Sequence, residues 1–109
     1  MQMLTIQEEI VMTTIWRLGN DAYGVSIRKK AAELTNKAMM YGTLYNLLSQ
    51  LVRKGFVTKF KGEPTSERGG RSKMYYALTP AGLSALRQSR KIHRSIWDGL
   101  PDLVTERGD

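Results

Sequence analysis

Met40–Gly55, MYGTLYNLLSQLVRKG, is the stretch that decides the fold. Leu44, Leu47, Leu48 and Leu51 recur at i, i+3, i+4 and i+7, the spacing of one buried helical face. Thr43, Asn46, Ser49, Gln50 and Arg53 then fall largely on the other side. That outer face is short-chained, polar and hydrogen-bonding, and it ends in Arg53-Lys54. Gly55 stands where a helix favours a left-handed residue to close its last turn. Such a face is able to read base edges. Taken alone, it is more often an ordinary amphipathic surface helix, so the segments on either side have to decide.

The chain has 109 residues, one domain's worth, with room for a single modest core and none for a separate catalytic domain. Its 17 Lys and Arg against 10 Asp and Glu leave a formal charge of +7, which points to a polyanionic partner. Residues 21–61 concentrate that excess, with eight Lys or Arg against Asp21 and Glu33, a net +6; residues 98–109 carry four acidic groups against Arg107, a net −3. The basic middle is therefore the expected working surface, and the tail is not. The absence of cysteine excludes disulfides, thiolate metal sites and cysteine nucleophiles. No apolar run approaches the roughly 18 residues of a membrane span, and Met1–Thr5 lacks the basic start and apolar run of a secretory signal. The expected compartment is the cytoplasm, with no membrane partner. There is no internal repeat and no low-complexity tract.

Upstream, Thr5-Ile6-Gln7-Glu8 fits a capping box, so a helix should start near Ile6. Ile6, Ile10, Ile15 and Leu18, with Val11 nearby, supply its apolar stripe, and Gly19-Asn20-Asp21 supplies turn chemistry. Trp16 belongs either to the core or to a subunit contact. A second helix fits Tyr23–Leu34, with Ile27, Ala31 and Leu34 inward and Arg28, Lys29 and Lys30 outward on what is usually a solvated face. Asp21 is the only good cap candidate for it. Thr35–Met39 then connects it to the Met40–Gly55 helix, in the helix-turn-helix layout.

After Gly55 the period changes from 3.6 to about 2. Phe56–Lys61 and Lys73–Leu78 are rich in aromatic or β-branched residues and are bounded by turn formers, which predicts two strands of a hairpin. Between them, Gly62–Ser72 is a long tip in which Gly69-Gly70 is flanked by Arg68, Arg71 and Lys73. Thr79-Pro80 then opens a last helix to about Trp97, because Thr caps well and Pro is favoured at the first helical position. Leu83, Leu86, Ile92, Ile96, Trp97 and Leu100 give that helix more apolar surface than one hairpin can cover. Pro101 and the acidic residues after it predict a frayed end.

The predicted class is mainly α with a small two-stranded β-wing: a winged helix-turn-helix domain over residues 1–79, a C-terminal dimerisation helix over 80–100 and an acidic tail over 101–109. One helix would enter the major groove and the basic wing would hold phosphates or the neighbouring minor groove. The residues also form two separated signatures: Tyr41-Gly42-Thr43-Leu44-Tyr45, Leu48, Leu51, Gly55-Phe56-Val57, and then Gly69-Gly70-Arg71, Tyr75-Tyr76, Leu78-Thr79 and Gly82. In that order and spacing, together with Tyr23-Gly24, they closely resemble the PadR family of bacterial transcriptional regulators, from about Leu4 to Leu86. The resemblance implies a homodimeric repressor on an inverted-repeat operator in double-stranded DNA. Carried over by position, Thr43, Tyr45 and Asn46 face the groove or its phosphates, and Arg71 with Gly69 and Gly70 forms the wing contact. The full candidate DNA-facing set adds Tyr23, Ser26, Tyr41, Gly42, Lys61, Arg68 and Lys73. Met40-Tyr41 departs from the family, which often has a small hydroxyl residue followed by proline there.

Bland readings stand beside these. Tyr45 is otherwise a half-buried ring with its hydroxyl in solvent, and Asn46 an ordinary exposed helix residue, although its amide suits adenine N6 and N7. Tyr75 and Tyr76 read as strand residues, one on the core and one outside. Leu83, Leu86, Ile92, Ile96, Trp97 and Leu100 are the candidate dimer interface. Trp97 is either a buried dimer anchor or the wall of a pocket for a flat hydrophobic or aromatic effector, as in ligand-responsive members of the family. An enzyme is disfavoured: one His, no Cys and no phosphate loop leave no nucleophile–base pair, metal site or cofactor site, and Glu8-Glu9 suits a first helical turn. The competing class is a small basic RNA-binding protein, which would need aromatic residues on an exposed sheet face, or a non-specific winged module.

Overall fold

The computed structural model describes residues 3–62 and 73–103. At its centre lies α3, Tyr41–Arg53, whose Leu44, Leu47, Leu48 and Leu51 are all buried, as their spacing predicts. Its end is a Schellman motif. The Phe56 N–H donates to Leu51 O and the Gly55 N–H to Val52 O, each at 3.0 Å, and Gly55 takes φ +80°. Phe56 follows and packs against the core, so the same turn that stops the helix also aims the chain into the next strand. The start is weaker: Met40 makes no side-chain cap.

α1, Ile6–Leu18, opens on the predicted capping box: the Thr5 N–H donates to Glu8 Oε1 at 2.9 Å, and the Glu8 N–H donates to Thr5 Oγ1 at 3.1 Å. Its buried residues are Glu8, Val11, Met12, Thr14 and Ile15, a face rotated from the expected stripe. Ile6 is 64% exposed, and Met12 takes the core position. The rotation follows from Glu8, whose carboxylate is carried into the interior by a salt bridge to Lys54 at the end of α3. Burial pushes the Glu8 carboxyl up, but the Lys54 ammonium and the Thr5 N–H outweigh it and hold it below its ordinary value.

A short 3-10 turn, Gly19–Asp21, leads to α2, Gly24–Thr35, which buries Gly24, Ile27 and Ala31. Leu34, expected inward, is 45% exposed, because the helix outruns its neighbours in its last turn. The cap is also not Asp21. Ser26, the third residue of the helix, reaches back to accept from the Tyr23 N–H at 3.0 Å, which ties the N-cap residue to the first turn rather than capping a helix N–H as a preceding Asp would.

β1, Val57–Lys61, pairs antiparallel with β2, Met74–Leu78, in the register Val57↔Leu78 to Lys61↔Met74. A bridge from Tyr23 to Tyr75 and the 2.9 Å bond from the Tyr76 N–H to Ala22 O add a two-residue third edge, which ties the wing to the start of α2. Val57 and Tyr76 are the wing's buried side chains. α4, Pro80–Trp97, is capped by Thr79, whose hydroxyl oxygen accepts from the Gly82 N–H at 3.0 Å. It docks on α1 through Ser89, which donates to Glu9 Oε1 at 2.7 Å, and through His93, whose Nε2 lies 2.8 Å from the same oxygen. Burial pushes the Glu9 carboxyl up; the Ser89 and His93 contacts prevail and leave it below its ordinary value. No helix among the described residues is long and apolar enough to cross a membrane.

Candidate nucleic-acid interface

Since α3 commits its leucines to the core, its other face is free. Tyr41, Gly42, Thr43, Tyr45, Asn46 and Ser49 are all exposed, and a shallow open depression lined by Met40, Gly42, Thr43, Tyr45, Asn46 and Ser49 runs along it. Hydroxyls, an amide and two phenol rings are therefore presented on one helix, without the bulk of long charged side chains until Arg53 and Lys54 at its end.

The two rings are not loose. Tyr41 and Tyr45 stack with centroids 6.2 Å apart and planes 20° from parallel. The Tyr45 hydroxyl lies over Gly24 on α2, where a Cβ would come within 2.0 Å of it. The Arg28 guanidinium covers the other end of the pair, its central carbon 4.5 Å from the Tyr41 centroid. The same guanidinium donates from Nε to Met39 O at 2.6 Å, across the connection between α2 and α3.

On the wing, Phe60 stacks on Tyr75 at 6.0 Å, and Tyr75 meets the Tyr23 ring edge-on at 5.6 Å. The Lys73 ammonium stands 4.0 Å from the Tyr23 centroid. On the opposite face of the hairpin, a cleft of about 260 Å³ opens between the start of α2, Tyr45 and the wing; Tyr23, Gly24, Lys59, Lys73 and Tyr76 are among its lining residues. Burial, helped by the neighbouring Tyr45, holds the Tyr76 phenol above its ordinary pKa, so it is a neutral hydrogen-bonding group in that cleft.

The structure thus brings Tyr23, Tyr45 and Lys73 to one place, with Tyr41, Gly42, Thr43 and Asn46 along the adjoining helix. Lys61 is exposed at the far end of β1. Ser26 sits at the α2 start, its oxygen engaged in the cap. The tip residues Arg68, Gly69, Gly70 and Arg71 lie outside the described residues. Two participants escaped the sequence reading. Lys59 carried only the signal of a basic residue on a strand, and Arg28 looked like part of a solvated triplet, since nothing in sequence says that one of three adjacent cations meets a ring 13 residues on.

At the other end of the molecule, Leu83 and Leu86 are half-buried in a groove of about 530 Å³ between α1 and α4, which Trp16, Arg87, Arg90 and His93 also line. Ile92 is half-buried, while Ile96, Trp97 and Leu100 are 60%, 52% and 59% exposed. Trp16 is 62% exposed and so is not core. Among the described residues no group of three or more His, Cys, Asp or Glu is placed to hold a metal ion.

Three helices and a two-stranded antiparallel wing, with a polar face turned outward on the third helix, define a winged helix-turn-helix protein. The chain belongs to the PadR-like family of transcriptional regulators, which it matches over residues 13–88. Members of that family are regulators rather than enzymes. The structure of RosR from H. salinarum grown from NaBr is similar at 26% identity, covering 91% of this chain and 82% of that one with a TM-score of 0.67. A PadR family transcription regulator from Clostridium difficile R20291 shares the fold at 22% identity, 82% and 88% coverage and a TM-score of 0.65. A transcriptional regulator from Clostridium thermocellum does so at 21% identity, 87% and 89% coverage and a TM-score of 0.66. No curated protein sequence matches the chain.

Proposed function

We propose that the protein is a sequence-specific, double-stranded DNA-binding repressor that acts as a cytoplasmic homodimer on an inverted-repeat operator. The observation that carries this reading is the outer face of α3, where Gly42, Thr43, Tyr45, Asn46 and Ser49 are exposed together while the opposite face is fully committed to the core. α3 enters the major groove, and Asn46 reads an adenine through N6 and N7. Tyr23, Tyr41, Tyr45, Lys61 and Lys73 meet the flanking backbone, and Arg68 and Arg71 of the tip follow the phosphates beside them. Residues 1–79 form the reading unit. Residues 80–100 pair two copies, a role supported by the exposed Ile96, Trp97 and Leu100. A flat hydrophobic or aromatic effector held against Trp97 at the subunit junction releases the DNA.

Repressors of this size commonly act on their own genes, so the test is binding to the duplex just upstream of the protein's own reading frame. An unrelated duplex of equal length, a single strand and a structured RNA serve as competitors, and the mass of the complex is determined alongside. A preference of roughly a thousandfold or more for the upstream duplex, with two chains per site, is the expected result. Equal binding to both duplexes sinks the operator reading, and preference for RNA moves the protein to the competing class.

A further inference from the structure

Gly24 and Arg28 are one turn apart on α2, and Tyr41 and Tyr45 are one turn apart on α3. The contacts pair them in opposite order, Gly24 with Tyr45 and Arg28 with Tyr41, so the outer edge of the helix pair is a two-rung ladder. Burial does not hold its rings, because Tyr41 is 41% and Tyr45 45% exposed. Two other things do: the hollow over Gly24 that admits the Tyr45 hydroxyl, and the planar cation that covers Tyr41. Arg28 also fixes the backbone just ahead of α3 through its bond to Met39 O, next to the Met40 cap position that no side chain satisfies. One side chain therefore holds both the entry into α3 and the first ring on its outer face. A lysine supplies the charge but neither the planar face nor the Nε–H directed at that carbonyl.

We infer that Arg28 is a positioning residue for DNA recognition: acting through Tyr41 and the Met39 carbonyl, it sets the angle at which the outer face of α3 meets the groove, and so governs discrimination between sequences more than the strength of binding to DNA in general. The inference rests on the DNA-binding reading above. It separates Arg28 from a phosphate contact, which would act by charge, would be rescued by lysine, and would contribute about 0.9 to the slope of log affinity against log salt.

The experiment uses the full chain, a duplex selected by the wild-type protein from a randomised pool of about 30 base pairs, long enough for two half-sites a helical turn apart, and an unselected duplex of equal length. Arg28→Lys, Arg28→Ala, Tyr41→Ala, the Arg28→Ala/Tyr41→Ala pair and Gly24→Ala are compared across a salt series, each checked for folding by thermal unfolding. Arg28→Lys and Arg28→Ala should each lose about tenfold in preference for the selected duplex. The salt slope should be unchanged, and Arg28→Ala should add little to Tyr41→Ala. Gly24→Ala, which disturbs the other rung by forcing the Tyr45 hydroxyl and the rigid ring that carries it away from α2, should lower the preference in the same way. Should Arg28→Ala fail to fold, Arg28→Lys and Gly24→Ala carry the test. Full rescue by lysine, a flattened slope, or effects that simply add to Tyr41→Ala overturn the positioning role. A wild-type protein that selects no duplex overturns the DNA reading and the inference together, whereas a discriminating wild type with an equally discriminating Arg28→Ala overturns the inference alone.

Discussion

Glu8 is 2% exposed and ionised, a combination that survives only because Lys54 and the Thr5 N–H surround the carboxylate. The folded-state pKa is lowered, so the contribution of Glu8 to stability is fully present above the ordinary carboxylate range and is lost as the pH falls below that range and through the lowered folded-state value. Lys54→Ala removes the ammonium and leaves burial opposed by the Thr5 contacts alone, so the Glu8 carboxyl should titrate higher in the variant than in the wild type. The expected cost at pH 7 is about 1–3 kcal/mol, the range for stranding a buried group, and the lysine's remaining contact with water argues for the lower half. Urea unfolding of both proteins at pH 7 and near pH 4 checks this. The gap between them should narrow on acidification, and a gap independent of pH would mean that Lys54 acts by packing its methylenes rather than by its charge. The sequence announced half of this arrangement, because Thr5 and Glu8 are three residues apart and share a first turn. It gave no sign of Lys54, 46 residues on, and without Lys54 a carboxylate is naturally read as the outer face of α1. That is why Ile6 was expected where Met12 is found.

At the scale of elements, Gly82 is where α4 meets the end of α3. A Cβ there would come within 2.2 Å of Phe56 O, backbone that cannot swing aside as a side chain can. That carbonyl already accepts from the Thr79 N–H at 3.0 Å, and the Thr79 hydroxyl donates to Gly55 O at 2.6 Å, so the first turn of α4 is laced to the Schellman turn of α3. Gly82→Ala should gain helix propensity of about 1 kcal/mol and still destabilise the protein by roughly 1–3 kcal/mol, because the helix must lift off the turn. Thermal unfolding and the near-ultraviolet signal of the aromatic residues report it; an unchanged or raised melting temperature would show that α4 is not seated on Phe56 as described. Most elements were legible for local reasons. The 3.6-residue leucine period defined α3, Thr79-Pro80 defined the start of α4, and the change of period at Gly55 defined the wing. The pieces that were missed are set by distant partners. The Tyr23–Tyr75 bridge is too short to leave a pattern, and the exposed end of α2 at Leu34 depends on where its neighbours stop. The same limit applied to the candidate site: the outer face of α3 follows from its leucines, whereas Lys59 and Arg28 join it only through the packing of α2 and β1 around Tyr45 and Tyr41.

For the molecule as a whole, α4 poses the remaining question. Its 18 residues would span roughly 27 Å at 1.5 Å per residue, and from Arg90 onward every side chain but the half-buried Ile92 is exposed. The half that packs on α1 through Ser89, Leu86 and His93 has a structural use, whereas the half carrying Ile96 and Trp97 stands exposed among the described residues. On the proposed reading that half meets a second copy, and two recognition helices are thereby held about 34 Å apart along one face of the DNA. The test is the double variant Ile96→Asp/Trp97→Ser. Both side chains are more than half exposed, so the melting temperature of the monomer fold should change little, within the roughly 0.5 kcal/mol usual for surface substitutions. The mass in solution should fall from two chains to one. Affinity for the operator should drop by about 10²- to 10⁴-fold, the avidity lost when two half-sites are no longer engaged together, while each chain's weak binding to a single half-site persists. Analytical ultracentrifugation beside operator and half-site titrations separates these effects. A variant that remains a dimer places the subunit contact elsewhere, with the α1–α4 groove around Trp16 the next face to alter. A monomeric variant that binds the operator as tightly as the wild type would show that pairing is not what makes this helix necessary for recognition.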